Sequence, residues 1–460
     1  RICIGSIEEL KQLSGVEVDD LHRENVDQLS FQIDGEPGTY HRIEEVLDCW
    51  FESGSMPYAQ LHYPFENQDV FDKGFPAEFI AEGLDQTRGW FYTLIVLGTA
   101  LFDTNPFKNV IVNGIVMAED GKKMSKRLKN YTPPDDLMEV YGADALRLYL
   151  INSGLVRAEE QKFADTGVKD MVRRALLPWL NAFKFLNTYA QIDNWTPAEN
   201  PVASSNIMDQ WMLSRLQTLK SNIAQEMESY RLYNVVPALF DFIEDLTNWY
   251  IRLNRSRFWQ EGMNADKEAA YQTLYTVINE LNLSMAPFAP FLAEALHQEM
   301  KVFSSEQPES VHLCSYPVAD EKLIQPELEQ AVTRMQNIIL LGRQKRNNEK
   351  IKTKYPLSSL TVIHKDTEML EEIARLEDYI ETELNVKKVE YSTDESQFIN
   401  LFAKPNSPVL GKRLGKQFKA YKSAIESLTS EAIEKLQDSG SLELDGETFS
   451  ADDILIFREA

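Results

Sequence analysis

The sequence predicts a doubly wound α/β domain, then an α-helical bundle, then a small α+β domain. Three observations carry that prediction. In the first third, short apolar runs stop at glycine: Phe79-Ile80-Ala81 precedes Glu82-Gly83, and Val110-Ile111-Val112 precedes Asn113-Gly114. From Thr166 to Met300 the apolar residues recur at helical spacing instead. Beyond Leu328 a helical stretch gives way to short strands around an acidic helix.

After the first of those strands, Trp90, Leu94, Leu97 and Leu101 fall three or four apart and predict a helix. Strand, loop, helix and strand make half of a doubly wound unit, whose ligands bind at the carboxyl ends of the strands. In the helical third, Met212, Leu216, Leu219, Ile223 and Met227 mark one apolar face, and Leu239, Ile243, Leu246, Tyr250 and Leu253 another. Pro178 is expected to kink the first bundle helix, and the polar run from Asp193 to Ser205, with two prolines, to join two helices. The last part reads as a helix around Leu328 to Arg346, a strand at Thr361-Val362-Ile363, a helix from Thr367 to Leu384 and a strand at Val389 to Tyr391. The expected domains are residues 1–165, 166–325 and 326–460.

Composition narrows the function. At roughly 150 residues per domain, 460 residues suggest about three domains. Hydrophobic residues at 43% and charged residues at 26% fit a globular protein, and no apolar run nears the ~18 residues of a membrane span, so no membrane is expected as partner. A net charge of -25 argues against one uniformly positive nucleic-acid surface and leaves local basic stretches to do that work. Cys3, Cys49 and Cys314 are odd in number, far apart and form no C-x-x-C, which predicts a reducing compartment and no structural zinc. The chain starts at Arg1 with no signal-peptide pattern and reads as a piece of a longer one.

The strongest local signal is Asp120-Gly121-Lys122-Lys123-Met124-Ser125-Lys126-Arg127. Mobile ammonium groups, a hydroxyl and a glycine that lets backbone approach closely suit a polyphosphate. The spacing is not that of a Walker A loop. A solvated basic loop is the alternative.

Lys123-Met124-Ser125-Lys126-Arg127 resembles the KMSKS signature of class I aminoacyl-tRNA synthetases, with Arg127 in place of the final serine. Two upstream blocks, Asp48 to Ser55 and Glu82 to Phe91, resemble those that isoleucyl-tRNA synthetases carry, in family order. Tyr141 to Arg147 resembles the element by which these enzymes leave the catalytic domain, and Asn248-Trp249-Tyr250-Ile251-Arg252 resembles their anticodon-binding helices. The block from Trp50 to Tyr58 with the Arg127 variant is most similar to the eukaryotic-type cytoplasmic isoleucyl branch. The resemblance implies the carboxyl-terminal half of a Rossmann-type catalytic domain, an anticodon-binding bundle and an α+β domain that contacts tRNA. It also implies a cytoplasmic protein acting on ATP with Mg2+, isoleucine and tRNA(Ile), and leaves open membership of a multi-synthetase complex.

Roles follow by the same resemblance. Lys126 holds the ATP phosphates as charge builds, Lys123 assists and Ser125 shapes the loop. Glu82, Gly83, Asp85, Gln86, Asn113 and Gly114 form the ATP and aminoacyl-adenylate site, with an N-cap of the following helix as a second role for Asp85. Trp50, Ser53, Gly54 and Trp90 line the isoleucine pocket; for the two tryptophans the alternative is plain core. Arg252, Arg255, Arg257 and Trp259, then Arg343, Lys345 and Arg346, are the expected tRNA contacts, against solvated helix faces as the alternative. No metal ligands are expected. No His-x-Gly-His spacing occurs among the six histidines, and no segment resembles the editing domain, so the segment alone is expected to be inactive. The competing readings are a noncatalytic tRNA-binding or scaffold module and the related valyl enzyme.

Overall fold

The computed structural model describes residues 1–460 except Leu47, Asn200, Ser305, Glu306, residues 395–399 and Ala460. It divides into two units: Arg1–Met171 with Glu226–Pro237, and Val172–Gln225 with Ala238–Ala460.

In the first unit, α1 (Cys49–Ala59) starts at Asp48, whose carboxylate accepts the Trp50 backbone N–H at 2.7 Å and caps the helix. Next come β1 (Ala77–Gly83), a 3₁₀ turn at Leu84–Arg88, α2 (Trp90–Phe102) and β2 (Phe107–Asn113). The strands run parallel, from Ala77 beside Phe107 to Gly83 beside Asn113, so both end at one edge. The predicted strands lie inside the observed ones. The helix differs in one respect: Phe91, Leu94 and Gly98 are buried while Leu101 is 59% exposed. Its sequence is apolar on nearly every side, and such a helix has no single stripe for periodicity to find.

Past β2, β3 (Val116–Met117) pairs parallel with β4 (Gln161–Lys162). The chain then turns at Asp120 and Gly121, where Gly121 has φ 78°, a conformation that only glycine adopts without cost. The Ala118 N–H donates to the Lys122 carbonyl at 2.8 Å, and Met117 bridges Lys123, which anchors the lysine-rich loop.

The second unit is built on a bundle of α3 (Leu177–Ile192), most of α4 (Ile207–Glu228), the latter half of α5 (Leu232–Glu244), α6 (Arg252–Trp259) and α7 (Ala265–Met285). Instead of a simple kink at Pro178, the chain opens a π turn at Val172–Leu176. Proline offers no N–H to the carbonyl one turn back, and the wider turn accommodates that loss. A second π turn, Asp245–Ile251, joins α5 to α6. Trp179, Trp211, Phe242, Tyr250, Phe258 and Tyr271 are almost wholly buried. Both predicted faces point inward, except that Met227 is 39% exposed and Leu253 only half-buried.

Inside this core sits an ionic network. The Arg257 guanidinium meets Asp209 at 2.7 Å and Asp266 at 2.7 Å, and the Tyr250 hydroxyl donates to Asp209 at 2.7 Å. Burial opposes the charge on Arg257, but hydrogen bonds to Asp209 and Asp266 outweigh it and hold its pKa above the ordinary value.

Toward the carboxyl end, α8 (Pro326–Asn348) precedes β5 (Leu360–Ile363), which pairs parallel with β6 (Val389–Ser392). The acidic stretch between them forms two helices, Thr367–Ala374 and Glu377–Leu384, where the sequence suggested one. The break lets Leu376, Ile380 and Leu384 all reach the core. Last, β7 (Asn400–Pro405) pairs antiparallel with β8 (Ile454–Glu459) over a small core that includes Leu410, Ile425, Leu436 and Phe449.

Candidate active site

The common edge of β1 and β2 gathers most of the predicted strand-end residues. Asp85 folds back over Gly83, where a Cβ would stand 2.6 Å from its Oδ1. Gln86 Nε2 donates to Asp85 Oδ2 at 3.1 Å, while Gln86 Oε1 accepts the Trp90 backbone N–H at 3.1 Å. Gln86 therefore holds the start of α2, and Asp85 does not cap it. The Glu82 carboxylate accepts the Gly83 N–H at 3.0 Å.

Trp50 lies against Gly89, where a Cβ would come within 2.8 Å of its ring and 2.9 Å of Gln86 Oε1. Trp90 Nε1 donates to the Ser53 carbonyl at 3.0 Å. Trp50, Ser53, Asp85, Gln86 and Trp90 thus form one cluster. At 42% exposure Trp50 is not core. Gly54 stands apart from them: it is buried where α1 crosses α2, and a Cβ there would meet Leu97 Cδ1 at 2.8 Å and the Thr93 carbonyl carbon at 3.1 Å. Its role is helix packing, because only hydrogen fits in that gap. On β2, Asn113 sits beside Gly83. The Gly114 N–H donates to the Leu155 carbonyl at 2.8 Å, and a Cβ on Gly114 would fall 1.8 Å from the Glu159 carbonyl oxygen.

The lysine-rich loop leaves this same strand edge through β3. Asn130 clamps it: its Oδ1 accepts the Ser125 N–H at 2.9 Å, and its Nδ2 donates to the Lys123 carbonyl at 3.2 Å. Lys122 pairs with Asp120 at 3.2 Å, and the Lys122 backbone N–H, donating to Asp120, helps to hold that carboxyl below its usual value. Lys123, Lys126 and Arg127 are exposed, and their side chains have no hydrogen bond or ion pair among the described residues. Such a loop presents three uncompensated cations on a fixed backbone, which suits an incoming polyphosphate. Among the described residues no group of three or more His, Cys, Asp or Glu is placed to hold a metal ion.

Residues 2–162 match the family of tRNA synthetases class I (I, L, M and V), and residues 209–362 match the anticodon-binding domain of tRNA ligase. The chain is 51% identical over 99% of its length to an isoleucine–tRNA ligase of Bdellovibrio bacteriovorus. It is 48% identical over 98% to the cytoplasmic isoleucine–tRNA ligase of Mus musculus, and 47% over 97% to that of Saccharomyces cerevisiae. The chain belongs to the isoleucine–tRNA ligase family. It spans 43%, 37% and 43% of the lengths of these three relatives, about two-fifths of each.

The residues expected to face tRNA differ in how far the fold leaves them free. Arg257 is buried in the Asp209 network and Arg346 is buried at 5% exposure, donating to the carbonyls of Tyr355 and Asn385 at 3.1 Å each. Against the expectation of tRNA contact, both guanidiniums are spent on partners inside the fold, where a phosphate does not reach them. Arg252 and Arg343 both pair with Glu383, and Arg343 also lies over Trp249. Trp259 is 58% exposed although its Nε1 donates to Tyr189, Lys345 pairs with Glu349 in the next turn, and Arg255 is exposed without an ion pair among the described residues. Two exposed arginines, Arg173 and Arg174, were not singled out by the sequence. The adjacent pair directly before the predicted kink was the available signal. No helix among the described residues is long and apolar enough to cross a membrane.

Proposed function

We propose that the chain is the part of a cytoplasmic isoleucine–tRNA ligase that holds the ATP phosphates, walls the isoleucine pocket and binds tRNA(Ile). The carrying observation is the unpaired set Lys123, Lys126 and Arg127, on a clamped loop that leaves the strand edge where Asp85, Gln86, Trp50 and Trp90 cluster. In activation, a carboxylate oxygen of isoleucine attacks the α-phosphorus of ATP, and the bond to the β-phosphate bridging oxygen breaks to release pyrophosphate. No protein nucleophile is needed, so positioning and charge stabilisation do the work. Lys126 and Lys123 neutralise the departing pyrophosphate, and Ser125 keeps the loop in shape through its N–H to Asn130. Asp85, oriented by Gln86, accepts from the amino acid's ammonium or a ribose hydroxyl, and Gly83 and Gly114 let the nucleotide approach the backbone. Magnesium would arrive on the ATP phosphates and add to the same charge neutralisation.

An apolar pocket separates isoleucine from valine by one methylene, a difference worth only about 150-fold in isoleucyl-tRNA synthetases. A separate editing step therefore belongs to the parent enzyme.

The test is isoleucine-dependent pyrophosphate exchange. The segment alone is expected to be inactive, and joining it to the upstream half of a relative is expected to restore exchange. Continued silence of the joined chain would favour a noncatalytic tRNA-binding module.

A further inference from the structure

A further positive charge meets the lysine-rich loop at its base. β4 ends in Lys162, whose partner across the parallel ladder is Met117 of β3, and Met117 also bridges Lys123 on the returning chain. Residues paired across a ladder project from the same face, so Lys162 and Lys123 flank Met117 on one surface, their Cα atoms two strand spacings or roughly 10 Å apart. Lys162 leans toward the turn: a Cβ on Gly121 would stand 3.2 Å from its Cε and 3.6 Å from its Nζ. Glycine at 121 therefore does two things, adopting a φ of 78° and leaving room for the lysine stem.

The main chain around Lys162 is fixed while its side chain is not. The Gln161 N–H donates to the Ile115 carbonyl and the Phe163 N–H to the Met117 carbonyl, each at 2.9 Å, and the Lys162 carbonyl accepts from Gln161 Nε2 at 2.9 Å. Phe163 is buried with its ring against Tyr149. The Lys162 side chain is exposed and makes no hydrogen bond or ion pair among the described residues. Carboxylates close by are taken by other groups: Glu159 pairs with Arg157 at 3.0 Å, Asp120 pairs with Lys122 at 3.2 Å, and Asp165 accepts the Thr132 hydroxyl at 2.7 Å. Glu160, two residues back, is exposed and does not pair with it. Like charges gathered on one surface repel, and a polyanion bound between them relieves that repulsion. In a chain of net charge -25, a lysine left free on the same face as the free Lys123 points to an anion from outside.

We infer that Lys162 is a further cation of the polyphosphate site, donating to the β- and γ-phosphates of the nucleoside triphosphate from the strand side while Lys123 and Lys126 do so from the loop. The inference rests on the phosphate-binding reading above and adds to it a residue outside the lysine-rich signature.

The experiment is isoleucine-dependent pyrophosphate exchange by the chain joined to the upstream half of a relative, with K162Q, K162R, K126Q and, as a lysine outside the site, K169Q. K162Q is expected to raise the KM for ATP and for pyrophosphate about tenfold, the worth of one charged hydrogen bond, and to leave the KM for isoleucine unchanged. K162R keeps most of the affinity, K169Q changes nothing, and urea midpoints are equal throughout. In lysine acetylation of the joined chain, inorganic pyrophosphate with Mg2+ is expected to slow labelling of Lys162 together with Lys126, and not of Lys169. If the joined chain shows no exchange, or K126Q exchanges like the unaltered chain, the phosphate reading and this inference fall together. If K126Q is impaired while K162Q keeps the unaltered KM for ATP and Lys162 labels at the same rate with and without pyrophosphate, this inference alone is wrong. Equal impairment of K162Q and K162R, with a lowered urea midpoint or a raised KM for isoleucine, would make Lys162 a support of the turn and overturn the proposal as well.

Discussion

The lysine-rich loop of the first unit and the helical core of the second both hold basic residues, but they use them in opposite ways. On the loop, Lys123, Lys126 and Arg127 are exposed and unpaired among the described residues. In the bundle, Arg257 and Lys267 are buried against Asp209, Asp266 and Asp193, and Arg346 is buried against main-chain carbonyls. A buried cation must be compensated or the fold loses several kcal/mol, so its charge is not available to a ligand. An exposed, unpaired one contributes little to stability and is free to act on a substrate. The position of the partner, not the residue type, decides which case applies.

That contrast can be tested from its largest consequence downward. Arg257→Ala leaves Asp209 buried without its cation and is expected to destabilise the chain by about 3–5 kcal/mol in urea unfolding. Lys126→Ala should do the reverse: stability within ~0.5 kcal/mol of the unaltered chain, yet about 10²- to 10³-fold less pyrophosphate exchange once the upstream half is joined. Equal effects of the two substitutions on stability would erase the distinction between the regions.

The strand edge gives a smaller effect of a different kind. Gly114→Ala places a Cβ on the Glu159 carbonyl oxygen, and the forced backbone shift is expected to cost about 1–3 kcal/mol by denaturant unfolding. A neutral result would mean that the chain from Glu159 yields easily.

The smallest effect concerns acid. Burial alone would raise the Asp193 carboxyl, but hydrogen bonds from Lys267 and Tyr271, with the Lys267 charge 2.6 Å away, hold it below 3.8. A depressed carboxyl adds stability above its unfolded pKa and loses it as pH falls through the folded value. Asp193→Asn should therefore flatten the decline in urea stability between pH about 5 and about 2. An unchanged acid limb would show that the pair adds nothing.

Much of the architecture was legible from local pattern. Phe79–Ala81 and Val110–Val112 mark the two strands because short apolar runs ending at glycine leave few alternatives, and Leu239, Ile243, Leu246 and Tyr250 mark a buried helix face because their spacing repeats with the helix. The strand-end cluster was legible residue by residue, but not the exchange of roles that gave the start of α2 to Gln86 and put Gly54 into helix packing. The π turns had only Pro178 as a hint in the sequence.

By itself the amino-acid order determined where strands stop, which stripe of each bundle helix is apolar, and that a glycine-bearing turn carries lysines around Met124 and Ser125. Tertiary structure alone decided which of the positive charges remain available. Arg257 finds Asp209 from 48 residues away and Arg346 finds Asn385 from 39. Periodicity is a property of neighbours in the chain, whereas charge compensation depends on neighbours in space, and packing brings those together only when the whole core has formed.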